Sequence, residues 1–230
     1  MDVDVVFDYL SNCRGDDGST VGPRRAVIVT LGLAGLRVSE LCDRDNQDID
    51  LTKARIRVGE AKTLAGVRFV DIRPRLLEEL RAYRAARPGS AMDDAAFPTR
   101  TGSRRDRNNV CTRVIEPAVR RANVVRAERT QAPIVAHVTP RTLRRTYITF
   151  MVAAGFDVPY VQDQVGHADP TTTLAVYARV IRRADRDALR AELRELLGED
   201  RLATDELARM RRLTDDPADT DHEGRKGLVR

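Results

Sequence analysis

Several residue types are scarce in this sequence of 230 residues, and each shortage argues against a class of protein. The three cysteines, Cys13, Cys42 and Cys111, lack the close spacing of zinc ligands or of a disulfide framework. A small, odd number of thiols is typical of a reducing compartment, so we expect a cytoplasmic protein without a metal site. No run of about 18 apolar residues occurs, so we expect no membrane-spanning helix. The start, MDVDVVFDYL, lacks a basic region ahead of a long apolar run, so we expect no signal peptide.

Lysine is also nearly missing. Of the 40 basic residues only Lys53, Lys62 and Lys226 are lysines, and the remaining 37 are arginines. Arginine suits phosphate because its planar guanidinium donates two parallel hydrogen bonds and never loses its charge. A biased genomic composition explains the same excess equally well. The net charge of +5 therefore permits nucleic-acid binding without establishing it.

The distribution of charge along the chain is more informative than its total. The segment 100–146 holds 12 arginines and 3 acidic residues, whereas the segment 185–221 holds 12 acidic residues and 7 arginines. A uniform compositional bias would not divide the chain in this way. The first segment is typical of a surface that faces a polyanion, and the second of a solvated helix or a partner-binding segment.

The first half of the chain combines helices with one β-rich region. Apolar periodicity predicts helices over 24–34 and 73–87. Alternation between apolar and polar residues predicts strands over 55–58 and 67–72. The two strands form a hairpin, and Lys62 lies near its turn.

The second half is predicted to be helical, with one interruption. We expect a helix over 108–122 and an irregular segment over 123–138. Thr139 and Pro140 then provide a strong helix start, with threonine at the N-cap and proline at the first helical position. The buried stripe of that helix is predicted to contain Leu143, Tyr147, Phe150, Met151 and Ala154.

Shorter helices are expected to follow. One begins after Asp157 and ends at Gly166, with His167 just beyond it. Another begins near Asp169 and carries Tyr177. A long amphipathic helix is predicted over 184–197, and the last 20 or so residues have the composition of a disordered tail.

Four short segments contain residues suited to phosphate chemistry. They are GLRVSEL with Arg37, AKTLAGVR with Lys62, TPRTLRRT with Arg141 and Arg144, and VGHADPTTTLAVY with His167 and Tyr177. Their order and spacing resemble the tyrosine recombinase, or phage integrase, family over roughly residues 20 to 182. The last segment is the most specific of the four, because a tyrosine follows the Gly-His pair at a fixed distance.

The resemblance implies a role for each of these side chains. Arg37 and Arg144 would hold the non-bridging oxygens of a DNA phosphate, where negative charge develops as the phosphorus becomes five-coordinate. His167 would donate a further hydrogen bond. Tyr177 would attack the phosphorus and form a 3′-phosphotyrosyl link. Lys62 would protonate the leaving 5′-oxygen.

Two features depart from the pattern of the family. The family usually has histidine where this chain has Arg141, and arginine can donate to a phosphate but cannot accept a proton at neutral pH. The family also usually has an N-terminal core-binding domain, and Arg37 comes too early in this sequence for one. The sequence leaves open whether the chain is an excised domain, a truncated gene product or a minimal enzyme.

The fold class predicted is α+β and mainly helical, namely the tyrosine recombinase catalytic-domain fold with a small antiparallel β-sheet. Residues 1–182 would form the catalytic domain, and residues 183–230 a C-terminal helix and disordered tail. The resemblance implies site-specific cleavage and rejoining of double-stranded DNA without a cofactor. It also implies a homo-tetramer on paired DNA sites, with the C-terminal segment packed on a neighbouring subunit, and leaves room for accessory DNA-bending proteins. We expect no membrane partner.

Two alternatives remain open at this point. One keeps the chemistry but changes the task to DNA relaxation of the type IB topoisomerase kind. The other is a DNA-binding remnant of a recombinase that does not cut. Glu40 is expected to support Arg37 or its helix and to take no part in the chemistry itself.

Overall fold

The computed structural model of the chain describes residues 22–59, 67–135 and 137–166, together with 191, 194, 195, 197 and 198. Lys62, His167 and Tyr177 lie outside the described residues, as do the predicted Tyr177 helix and most of the segment 183–230. Within the described part, none of the helices has the length and apolar character needed to cross a membrane.

Helix α1 (Pro23–Ala34) lies at the centre of the core, because every residue from Arg25 to Ala34 is buried. A helix that is apolar on most of its faces is stable only when other elements cover it. The charged group of Arg25 is neutralised by Glu79, whose carboxylate accepts two hydrogen bonds from it. Gly35 ends the helix in the left-handed conformation, with φ of 62°.

A three-stranded antiparallel sheet follows the short helix α2 (Val38–Cys42). Its strands are β1 (Ile49–Asp50), β2 (Arg55–Val58) and β3 (Arg68–Asp71), in that order across the sheet. The predicted hairpin is confirmed, with Ile56 opposite Val70 and Val58 opposite Arg68. Four side chains of the sheet are buried against the core: Ile49, Ile56, Val58 and Val70.

Helix α3 (Pro74–Ala85) covers α1 through its buried residues Leu76, Leu80 and Tyr83. A 3-10 turn (Arg107–Asn109) and a π-turn (Cys111–Ile115) then lead into helix α4 (Glu116–Glu128). The prediction of an irregular segment over 123–138 is therefore wrong for its first six residues. Of these six residues only Arg126 is buried, so they contain no apolar stripe that periodicity would detect.

Helix α5 (Pro140–Ala153) begins as predicted, because the Thr139 hydroxyl accepts a hydrogen bond of 3.1 Å from the backbone of Thr142. The predicted buried stripe is also confirmed: Leu143, Tyr147, Phe150, Met151 and Ala154 are all buried. Helix α6 (Val158–Val165) ends at Gly166, which has a φ of 63°.

Part of the C-terminal region packs against this same chain. Leu197 is fully buried in the core, and the Arg194 guanidinium donates to the carbonyl of Ala154 at the end of α5. Gly198 lies against Pro74 at the start of α3. Leu197 thus belongs to the core of its own chain.

Candidate active site

Arg37 lies in the turn between α1 and α2, at the mouth of the site. Its side chain is 47% exposed, so part of the guanidinium faces solvent. One amino group donates to Glu40 at 2.7 Å, and the other donates to the carbonyl of Gly166 at 2.8 Å. Both amino groups of the Arg37 guanidinium are therefore fixed by hydrogen bonds, while the side chain remains accessible to a ligand.

Glu40 joins the arginines of this region into one cluster. Its carboxylate accepts hydrogen bonds of 3.0 and 2.9 Å from the guanidinium of Arg68, and one of 2.8 Å from the backbone N–H of Arg37. Burial alone would raise the pKa of this carboxyl, but the bonds from Arg68 and Arg37 outweigh it and lower the pKa to about 2. Glu40 is thus ionised at neutral pH, and the expectation that it supports Arg37 is confirmed.

Arg144 enters the cluster from α5 and is buried. Its guanidinium donates to the carbonyl of Gly35 at 2.6 Å and to that of Val165, and it lies 3.9 Å from the Glu40 carboxylate. Burial and then the positive charge of Arg37 lower the pKa of Arg144 to about 10. The group stays charged at neutral pH, because that value is still well above 7.

Three arginines bind three successive carbonyls at the C-terminus of α6. Arg68 donates to Gln164 at 3.3 Å, Arg144 donates to Val165, and Arg37 donates to Gly166. The last carbonyls of a helix have no partner inside the helix and carry its partial negative charge, so cations are favourable there. This arrangement fixes the position at which the chain leaves α6 towards His167.

The arginine cluster, which we define as Arg37, Arg68, Arg144 and Glu40, has three positive charges against one negative charge. Attraction to an anion is strengthened where the cations are partly withdrawn from water. The positions of the guanidiniums are set in advance by Glu40 and by backbone carbonyls, so binding an anion would need little rearrangement. Such a cluster is suited to stabilising the oxygens of a phosphate.

The structure thus brings together Arg37 and Arg144 among the six residues predicted for the site. Arg141 is exposed in the first turn of α5 and has no partner within the described part of the chain. Lys62, His167 and Tyr177 fall in segments that are not described, so their roles stay predictions.

Sequence reasoning missed two members of this region, Arg68 and Gln164. The sequence assigns Arg68 only to strand β3, RFVD, and nothing in that strand indicates that its guanidinium pairs with Glu40. Gln164 is buried in α6, and its side-chain carbonyl accepts a hydrogen bond of 2.7 Å from the backbone of Asp71. It therefore joins α6 to the sheet.

The fold and the cluster together define the class of protein: an α+β domain in which buried and half-exposed arginines are arranged to receive an oxyanion. The chain belongs to the phage integrase family, because the model of that family matches residues 4–183. The predicted family is thereby confirmed.

Among curated proteins, the chain is 31% identical over 179 residues to tyrosine recombinase XerA of Thermococcus kodakarensis, a match over 76% of this chain and 58% of the relative. The chain spans about half the length of the curated relatives it matches.

Solved structures confirm the predicted fold class. A crystal structure of XerA recombinase matches with a TM-score of 0.63 at 23% identity, over 85% of this chain and 62% of that one. The Tn1549 transposon integrase in complex with circular intermediate DNA matches with a TM-score of 0.60 at 23% identity, over 85% and 66%.

Proposed function

We propose that this chain is the catalytic part of a site-specific tyrosine recombinase, which cleaves and rejoins double-stranded DNA. The observation that carries the proposal is the arginine cluster in a member of the phage integrase family. Arg37 and Arg144 are fixed by Glu40 and by carbonyls of Gly35, Val165 and Gly166 before any ligand arrives. Residues 1–182 would form the catalytic domain and residues 183–230 its C-terminal extension.

In the proposed reaction the Tyr177 hydroxyl oxygen attacks a DNA phosphorus, and the bond from phosphorus to the 5′-oxygen breaks. The Tyr177 proton passes to water, and the 5′-oxygen takes a proton from Lys62. Arg37, Arg144 and His167 stabilise the charge on the non-bridging oxygens. The reverse attack by a 5′-hydroxyl, from the same or another strand, restores the phosphodiester and releases Tyr177. The energy of the bond is kept in the phosphotyrosyl link.

Arg141 would act as a further hydrogen-bond donor to the phosphate. Its exposure and its lack of a partner in the described part of the chain leave its guanidinium available for a bidentate contact. It cannot take the proton of Tyr177, because arginine stays charged at neutral pH.

The partner we propose is double-stranded DNA, as in the complex of the Tn1549 integrase. Exchange between two sites would require four copies of the chain, so we propose a homo-tetramer on paired sites, with accessory DNA-bending proteins where the sites need them. We propose that this activity takes place in the cytoplasm.

A suicide substrate tests the proposal. A duplex with a nick next to the cleavage site traps the covalent intermediate, because the short leaving strand diffuses away. The wild-type chain should form a complex with DNA that survives denaturant, and Tyr177→Phe should abolish it while DNA binding remains. Tyr83→Phe is the matched control, since its hydroxyl donates to Ala96 and accepts from Arg87, both outside the arginine cluster.

The outcomes separate the alternatives. An adduct that persists in Tyr177→Phe would disprove the assignment of the nucleophile. An adduct without strand exchange between duplexes would favour relaxation of the type IB topoisomerase kind. Binding without any adduct in the wild-type chain would indicate a remnant that does not cut.

A further inference from the structure

Three side chains of the kinds that bind transition metals meet outside the arginine cluster. Cys111, Glu116 and His137 each offer one ligand atom, and these atoms all lie within 4.8 Å of one another. The thiol of Cys111 lies 3.9 Å from a carboxylate oxygen of Glu116. Cys111 and Glu116 are half-buried, and His137 is exposed.

The π-turn explains how Cys111 and Glu116 come to share one side of their helix. In an α-helix, residues five positions apart point about 140° away from each other. In a π-turn the hydrogen bonds join residues five positions apart, so the two side chains project in similar directions. Pro117 accounts for the wide turn, because in a regular helix its ring would clash with the carbonyl of Arg113.

His137 reaches the same point from the segment that enters α5. The Cys111 thiol lies 4.0 Å from the carbonyl of Val138, the next residue along the chain. The carbonyl of His137 accepts a hydrogen bond of 3.4 Å from the Thr142 hydroxyl, which ties this segment to the first turn of α5. The imidazole therefore lies four residues before Arg141, on a segment held by the helix that carries the phosphate-binding arginines.

The donor set has the chemistry of a zinc site. A thiolate, an imidazole and a carboxylate are the three ligand types that zinc uses in proteins. Ligand atoms on one tetrahedral zinc lie within about 4 Å of each other, so small rotations of these side chains would suffice.

We propose that Cys111, Glu116 and His137 bind one zinc-class divalent cation, with the fourth position open to water. The cation would join the π-turn before α4 to the entry of α5, and so would stiffen the segment that carries Arg141 and Arg144. The sequence argument against a metal site depended on the lack of closely spaced cysteines. It did not detect this set because the fold supplies a single cysteine and brings His137 from 26 residues further along the chain.

Cobalt(II) titration of the full chain, without an affinity tag, tests the site directly. Binding by Cys111 should give a thiolate-to-cobalt charge-transfer band, which zinc should abolish by displacement. The band should be missing in Cys111→Ser. It should persist in Cys13→Ser and Cys42→Ala, the matched controls that remove the other two thiols.

Zinc binding measured by equilibrium dialysis should give one ion per chain. Glu116→Gln and His137→Ala should each weaken affinity by more than about 100-fold, since even changes outside the ligand sphere cost about 10- to 100-fold. His222→Ala should leave affinity unchanged. His137 is exposed, so its variant should keep the circular dichroism spectrum of the parent, and loss of binding there is not a loss of folding. A band that survives in Cys111→Ser, or zinc affinity unchanged in His137→Ala, would overturn the proposal.

Discussion

Glu40 determines whether the arginines of the cluster can stay close together. Without its charge, three guanidiniums would face one another with only backbone carbonyls between them. Its folded-state pKa of about 2 lies below the ordinary value of 4.5 because the hydrogen bonds from Arg68 and Arg37 outweigh its burial. A carboxyl with a lowered pKa stabilises the folded state above its unfolded pKa, and this contribution is lost as pH falls towards the folded value.

We therefore predict that Glu40→Gln lowers the free energy of unfolding at neutral pH by on the order of 3 kcal/mol. The difference from the parent should shrink between about pH 5 and about pH 3, because the parent's Glu40 starts to lose its contribution there. Urea unfolding at a series of pH values measures this.

Glu78→Gln is the matched control, since Glu78 is half-exposed and 3.8 Å from Arg75. Exposed ion pairs contribute about 0 to 1 kcal/mol, so this variant should lie close to the parent at every pH. If Glu40→Gln differs from the parent by the same amount at both ends of the pH range, the lowered pKa of Glu40 is wrong.

At the scale of elements, the end of α1 brings together a glycine, an aromatic ring and an arginine of the arginine cluster. Gly35 has a φ of 62°, and a Cβ there would lie 2.3 Å from the Tyr147 ring. Its carbonyl accepts the hydrogen bond from Arg144. The position therefore requires glycine both for backbone conformation and for the close packing of α1 on α5.

Gly35→Ala should destabilise the protein more than backbone strain alone does. Gly89→Ala is the matched control, because Gly89 has a φ of 83° and nothing lies within 4 Å of its added Cβ. We expect about 1 kcal/mol from strain in the control, and about 1–3 kcal/mol more in Gly35→Ala from overpacking. Thermal unfolding of both variants measures the difference. Equal losses would show that the Tyr147 contact is not a constraint.

The elements that sequence could predict were those with an apolar pattern or a clear capping signal. Thr139 and Pro140 identified the start of α5, and the alternation in RIRV identified β2. The second half of α4 lacks such a pattern, because its buried residue is an arginine. The Arg126 guanidinium donates a hydrogen bond of 2.7 Å to the carbonyl of Ala132. The sequence does not distinguish a buried arginine from an exposed one, and only the tertiary structure does.

At the scale of the whole molecule, the charge along the sequence is divided between a basic middle and an acidic C-terminal segment. Arg37, Arg141 and Arg145 are exposed. Positive side chains that contact DNA phosphates release counterions, so the affinity falls as salt rises.

Binding of this chain to a duplex should weaken by at least about tenfold between 50 and 200 mM salt. Arg145→Gln should reduce the slope of log affinity against log salt by about 1, if Arg145 contacts a phosphate. Arg81→Gln, an exposed arginine of α3 outside the basic segment, is the matched control and should leave the slope unchanged. Fluorescence anisotropy at several salt concentrations measures both. Tight binding that does not respond to salt would contradict the prediction.

The site shows the same division between what sequence can and cannot predict. Short motifs located Arg37 and Arg144, since the order and spacing of these motifs resemble those of the tyrosine recombinase family. The partners of these arginines had no such signal. Gly166 lies 129 positions from Arg37, and its contribution is a backbone carbonyl that every residue possesses. Arg68 and Gln164 became visible as members of the site only once the sheet and α6 were in place.

The three arginines at the end of α6 have a consequence for the choice between the two basic amino acids. A guanidinium carries five N–H groups in a plane, whereas an ammonium carries three at a single point. Arg144 spans carbonyls of two different segments, and Arg37 spans a carboxylate and a carbonyl. Each retains N–H groups that those partners do not use, so one side chain can maintain the architecture and still offer hydrogens to a substrate. Lysine would supply the charge but could not perform both tasks at once. At these positions the preference for arginine is therefore a geometric requirement, whatever the cause of the arginine excess in the rest of the chain.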